Sequence, residues 1–109
     1  MNCTLDRLGI PSTFMVLNHH IVVKEIPNLP EMSKYGDWDA DLNEIRLFTQ
    51  DVCDDVILHS YYHELAHCLF DRAGRTDLSE DEVLVDLIGG LLAQYYTTSS
   101  LYDRGSSLD

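Results

Sequence analysis

Residues 14 to 26, FMVLNHHIVVKEI, are dense in β-branched and aromatic side chains and stop at Pro27, which predicts one strand or two short ones. The next stretch, NLPEMSKYG (28 to 36), has the proline and glycine punctuation of a loop. In GDWDADLNEIRLFT, the polar cluster around Asp41 to Asn43 separates Trp38 from the alternating Ile45 and Leu47, which predicts a hairpin turning there. These segments make a small antiparallel or mixed sheet of about three strands.

From Val56 the period changes. Leu58, Tyr62, Leu65 and Leu69 recur at three- and four-residue steps, predicting an amphipathic helix over 56 to 73 that Gly74 ends. LSEDE then opens a second helix, 79 to 98, with Ser79 as N-cap, Glu82 at the capping-box spacing, and Glu80 and Asp81 near the positive helix end. Leu84, Leu87, Ile88, Leu91, Leu92 and Tyr95 supply its apolar face. The short link GRTDLSED folds this helix back antiparallel on the first. The expected architecture is α+β: one domain over residues 1–98, a small sheet packed on two antiparallel helices, followed by a flexible polar tail, 99–109.

Composition narrows the partners. Seven basic against nineteen acidic residues give a net charge of −12, which repels phosphate backbones and anionic lipid, so neither nucleic acid nor membrane is an expected ligand. The same charge is compatible with a cation, or with nothing more than a solvated surface. The start MNCTLDRLGIPS lacks the pattern of a secretory signal and no run reaches the length of a membrane span, so the chain reads as cytoplasmic. Three cysteines, Cys3, Cys53 and Cys68, suit free thiols in a reducing compartment. Cys68 follows His67 directly, but neighbouring helix positions point about 100° apart, so it belongs to core packing.

The chemistry concentrates in SYYHELAHCLF (60 to 70), where His63, Glu64 and His67 have the spacing H-E-x-x-H. Residues four apart on a helix share a face, so the two imidazoles can meet one ion while Glu64 flanks the same space. A catalytic zinc uses three protein ligands and leaves a position for water, which requires one more donor. Glu82 and Asp86, also four apart, can face the histidines from the second helix, and Gly89 and Gly90 on the same stripe let the helices approach closely. Each residue has a plainer alternative: core histidines for His63 and His67, a capping carboxylate for Glu82, a surface acid for Asp86. His59 lies one turn earlier, but three histidines in line span about 12 Å, too far for one ion, so it reads as a rim residue. His19 and His20 fall on a strand, one facing each way. Tyr35, Tyr61, Tyr62 and Trp38 are possible donors to an oxyanion, with core packing the better account of them.

HELAH followed by EVLVD resembles the gluzincin metallopeptidases, whose pattern is HExxH and, on a later helix, ExxxD. The segment from YGDWDADLNEIRLFT to LSEDEVLVDLIGGLLAQ is similar to the small ImmA/IrrE-like zinc peptidase domains often encoded by phages. The resemblance covers roughly residues 20 to 96 and is specific at the helices. It implies a minimal zincin-like fold, His63, His67 and Glu82 as zinc ligands, Glu64 as general base, and Asp86 as the residue that orients a ligand histidine. The gap between His67 and Glu82 is shorter than in large gluzincins, which leaves Asp86 as an alternative ligand. By the same resemblance NEIRLFT is the edge strand that pairs with substrate. The implied function is hydrolysis of a peptide bond in a peptide or protein, in host cytoplasm if the chain is phage-encoded. The alternative is a zinc-stabilised, non-catalytic binding or inhibitor protein acting on a host partner.

Overall fold

A computed structural model of the chain describes residues 4–26 and 34–99. FMVLNHHIVVKEI divides into two strands, β1 (Thr13–Val16) and β2 (His19–Ile26), because Leu17 and Asn18 take left-handed φ values of 46° and 74° and close a two-residue turn. The second hairpin joins β3 (Gly36–Asp39) to β4 (Glu44–Phe48). Its turn is the expected one: Asp39 Oδ1 accepts from the amides of Asp41 and Leu42, and Asn43 takes φ 53°. The two hairpins join through a parallel pairing of β2 with β4, giving a mixed four-stranded sheet in the order β1-β2-β4-β3. One expectation is thereby overturned. NEIRLFT holds β4, which is interior because both its edges are already paired, and β3 is the sheet edge on that side.

A short helix, α1 (Thr4–Arg7), precedes the sheet and brings Leu5, with Leu8 and Ile10 behind it, into the core. The first long helix, α2 (Asp54–Arg72), begins two residues before the expected start, and Arg7 grips its first residue, Asp54, at 2.9 and 3.0 Å. It ends where expected. Gly74 has φ 79°, its amide donates to Asp71 O, and the Arg75 amide reaches back to Phe70 O, which closes the helix with a left-handed residue.

The link to the next helix differs from expectation. Thr76–Ser79 forms a separate turn, α3, and the last helix, α4, runs over Glu82–Thr98. Its N-cap is Asp81, which accepts from the Leu84 amide, so neither Ser79 nor Glu82 does the capping.

The core lies between the sheet and α2: Ile21, Val23, Ile45 and Leu47 meet Ile57, Leu58, Tyr61 and Cys68. Cys68 is fully buried, and that burial pushes its thiol up to about 11. Helix α4 packs on α2 through Val85, Gly89 and Ala93, with Gly89 allowing the close approach expected of it; of the expected apolar face, Leu84, Ile88 and Leu92 are half-buried. Leu87, Leu91 and Tyr95 are 58, 57 and 69% exposed, because close helix packing selects the stripe of small residues. On α2, Leu69 likewise lies outside the buried face. No helix among the described residues is long and apolar enough to cross a membrane. Cys3, most of the loop after β2 and nearly all of the expected polar tail lie outside the described residues.

Candidate metal centre

His63 and His67 stand one turn apart on α2 with ring centroids 5.1 Å apart. Glu82, in the first turn of α4, faces both: its Oε1 lies 3.4 Å from His63 Nε2 and its Oε2 lies 3.4 Å from His67 Nε2. One donor atom from each of the three lies within 4.8 Å of the others. Donors bonded at about 2.0–2.1 Å around a tetrahedral zinc are separated by about 3.4 Å, so the observed spacing suits that ion. Two imidazoles and a carboxylate are also a donor set that zinc accepts.

The other ring nitrogens are engaged as well. His63 Nδ1 lies 3.3 Å from Asp86 Oδ1, and His67 Nδ1 lies 3.1 Å from the hydroxyl of Ser79. That hydroxyl also reaches the His67 carbonyl oxygen at 3.4 Å, so it donates there and accepts the Nδ1 proton. With both Nδ1 atoms as donors, both Nε2 lone pairs point at a carboxylate. Three acceptors then face one another, and a cation between them relieves the repulsion.

Glu64 faces Gly36 of the sheet and lines the same groove as His63. It is 9% exposed, and no hydrogen bond to its carboxylate is found among the described residues. Burial first, then the nearby carboxylates of Asp37 and Glu82, push its pKa up to about 7. Gly36 makes room for it: a Cβ there would lie 3.4 Å from Glu64 Cγ and 3.1 Å from the Arg46 carbonyl oxygen. The edge strand therefore passes directly over this carboxylate.

An open groove of about 590 Å³ runs across these residues. His63, Glu64, His67 and Glu82 line it on the helix side, and Gly36 to Trp38 of β3 form the opposite wall. The wall is braced from below. Trp38 Nε1 donates to Asp71 Oδ2 at 2.8 Å, Arg72 lies 5.5 Å over the indole, and Arg46 holds Asp37 at 2.8 Å. Lys34 is the only cationic side chain among the described residues lining the groove, with its Nζ 3.4 Å from Asp37.

His63, Glu64, His67, Glu82 and Asp86 thus come together as their spacing suggests, and Glu82 rather than Asp86 meets the pair of Nε2 atoms. Cys68 points into the core, Tyr61 and Tyr62 pack there too, and His19 and His20 are exposed. Ser79 is the site residue that sequence reasoning assigned elsewhere, as an N-cap. A buried serine twelve residues after a motif histidine has no sequence signal beyond that position. Lys34 and Gly36 were not singled out either, since their place in the groove depends on where β3 runs. Comparison with known proteins adds no relative: no family model matches the chain, and no curated protein or solved structure does.

Proposed function

We propose that this protein is a zinc-dependent peptidase with a minimal zincin-like fold, of the gluzincin type and similar to ImmA/IrrE-like domains, acting on a peptide or protein in the cytoplasm. The observation that carries the reading is the convergence of His63 Nε2, His67 Nε2 and both Glu82 oxygens beside a buried carboxylate in an open groove. His63, His67 and Glu82 hold the metal. Zinc bound there supplies a water acidified toward a pKa of about 7 and a positive charge for the carbonyl oxygen of the scissile bond.

The remaining work falls to the chain's own residues. Glu64 accepts the proton of the attacking water and delivers it to the leaving amine, since its buried carboxylate lines the same groove as the two histidines and Glu82. Asp86 and Ser79 hold the two rings by their Nδ1 atoms and so keep both Nε2 lone pairs directed inward. The outer edge of β3 pairs with no strand among the described residues and lines the groove, so it can take an extended substrate by backbone hydrogen bonds. Lys34, at the same wall, is the cation positioned to meet the negative oxygen that develops in the transition state.

The test is metal analysis of protein purified without chelator, combined with cleavage of a peptide library by wild type and by Glu64→Gln. One tightly held zinc per chain, and cleavage that depends on Glu64, are expected. Zinc with no Glu64-dependent cleavage of any substrate, and full biological effect in the variant, would instead identify a zinc-stabilised binding protein.

A further inference from the structure

Three histidines at four-residue steps, His59, His63 and His67, are too extended for one ion but not for two. His59 Nε2 lies 3.2 Å from Asp86 Oδ1, the same oxygen that lies 3.3 Å from His63 Nδ1. One donor atom from each of the three residues lies within 4.8 Å of the others, a limit that the donors of His63, His67 and Glu82 also meet. They come from two helices that approach closely at Gly89, so the fold fixes the backbone positions that carry them.

We propose that His59, His63 and Asp86 form a second divalent-cation site, outside the first and sharing His63 with it. The chemistry is that of an ion accepting two imidazole nitrogens and a carboxylate oxygen, as zinc does. His63 stands between the two sets, Nε2 toward Glu82 and Nδ1 toward Asp86. Side-chain exposures of 46% for His59 and 64% for Asp86, against 22% for His63, leave the outer positions open for water to complete the coordination. An open hollow lined by His63, Glu82, Val83 and Asp86 borders the set at His63 and Asp86 and leaves that side accessible to solvent.

The order of filling follows from the shared ring. His67 is only 15% exposed at its side chain and is held by Ser79, so the inner donors are the better organised and fill first. An ion in the outer set takes Nδ1 of His63 in place of a proton, which goes to solvent, so it binds more weakly. Its arrival converts Asp86 from a hydrogen-bond acceptor that positions His63 into a ligand.

Titration of the chelator-stripped full chain with Zn²⁺, followed by calorimetry and native mass spectrometry, tests the site. Wild type is expected to take two ions in two steps. His59→Ala should lose the weaker step and keep the tighter one; His67→Ala should lose the tighter step and keep one ion; His63→Ala should lose both. Ring-nitrogen NMR adds a readout that a merely structural role would not move: the His59 Nε2 resonance should shift only with the second equivalent. Because His67→Ala removes the inner site alone, the outer site stands or falls separately from the proposed peptidase. Equal stoichiometry and affinities in wild type and a folded His59→Ala variant would overturn the proposal, leaving His59 as a hydrogen-bond partner of Asp86 and nothing more.

Discussion

The α-carbon of Gly89 rests against the backbone of His63: a Cβ built at Gly89 would lie 2.8 Å from His63 Cα and 2.9 Å from its nitrogen. Backbone cannot yield as a side-chain tip can, so Gly89→Ala must push α4 away from α2, and Glu82 and Asp86 move with it. The expected cost is about 1–3 kcal/mol of stability, with weaker zinc binding. Gly90→Ala is the control, since its Cβ meets only His59 Cε1 at 3.5 Å. An alanine in mid-helix there should stabilise by up to about 1 kcal/mol. Thermal melts of the two variants with and without zinc check both; equal effects would mean that the close approach does not matter.

Glu64→Gln keeps the size of the side chain but cannot take a proton near neutral pH. With zinc and fold retained, peptide hydrolysis should fall by about a hundred- to ten-thousand-fold. Single-turnover rates on a cleaved library peptide, beside metal content, measure it.

Glu64 also gives the metal-free protein a pH dependence of definite sign. Its pKa rises on folding from 4.5 to about 7, mainly through burial, so between those values the folded state holds a proton that the unfolded state has lost. Stability therefore falls as pH rises through this window, by on the order of 3 kcal/mol in all. Glu64→Gln should abolish that slope and be the more stable protein at about pH 8 in chelator. Asp37 and Asp54 act in the opposite sense and at lower pH: burial raises Asp37, but Arg46 and Lys34 together outweigh it, and the hydrogen bonds from Arg7 favour the charged form of Asp54, so both lie below the usual carboxylate value. Denaturant midpoints across the range separate the two; parallel curves for wild type and variant would remove the burial argument.

Ser79→Ala leaves the Nδ1 proton of His67 without its acceptor, and Asp86→Asn weakens the hold on His63. Each should lower the affinity of the tighter zinc, the one held by His63, His67 and Glu82, by about 10- to 100-fold while those three ligands stay in place. Asp81→Ala, by contrast, removes the true cap and should cost about 1 kcal/mol of stability with little effect on affinity. Competition with a chelator distinguishes them.

Lys34→Met removes the groove's cation but keeps the aliphatic stem. If the ammonium meets the developing oxyanion, kcat should fall by about a hundred-fold or more with KM little changed. A change in KM alone would assign Lys34 to substrate binding.

Helical spacing was enough to bring His63, Glu64 and His67 to one region of a helix, and Glu82 and Asp86 to another, because four-residue steps stack side chains whatever surrounds them. The change of period near Val56 and the polar turn before Asn43 likewise marked out helix and hairpin, since both signals are local. The choice between candidates of equal local merit came only from tertiary structure. Ser79 and Asp81 are both good helix caps, but the chain makes a further turn at Thr76–Ser79 before α4 starts, so Asp81 takes the cap position and the Ser79 hydroxyl meets His67 instead. Leu87, Leu91 and Tyr95 look like a core face by hydrophobicity, yet α4 turns Val85, Gly89 and Ala93 inward because the backbone of His63 leaves no space for more. β4 has the alternation of any half-buried strand, and its interior place arose from a parallel pairing with β2 across some twenty residues of sequence. Local periodicity carries no information about such pairings, as the partner is chosen by packing once the chain has come together.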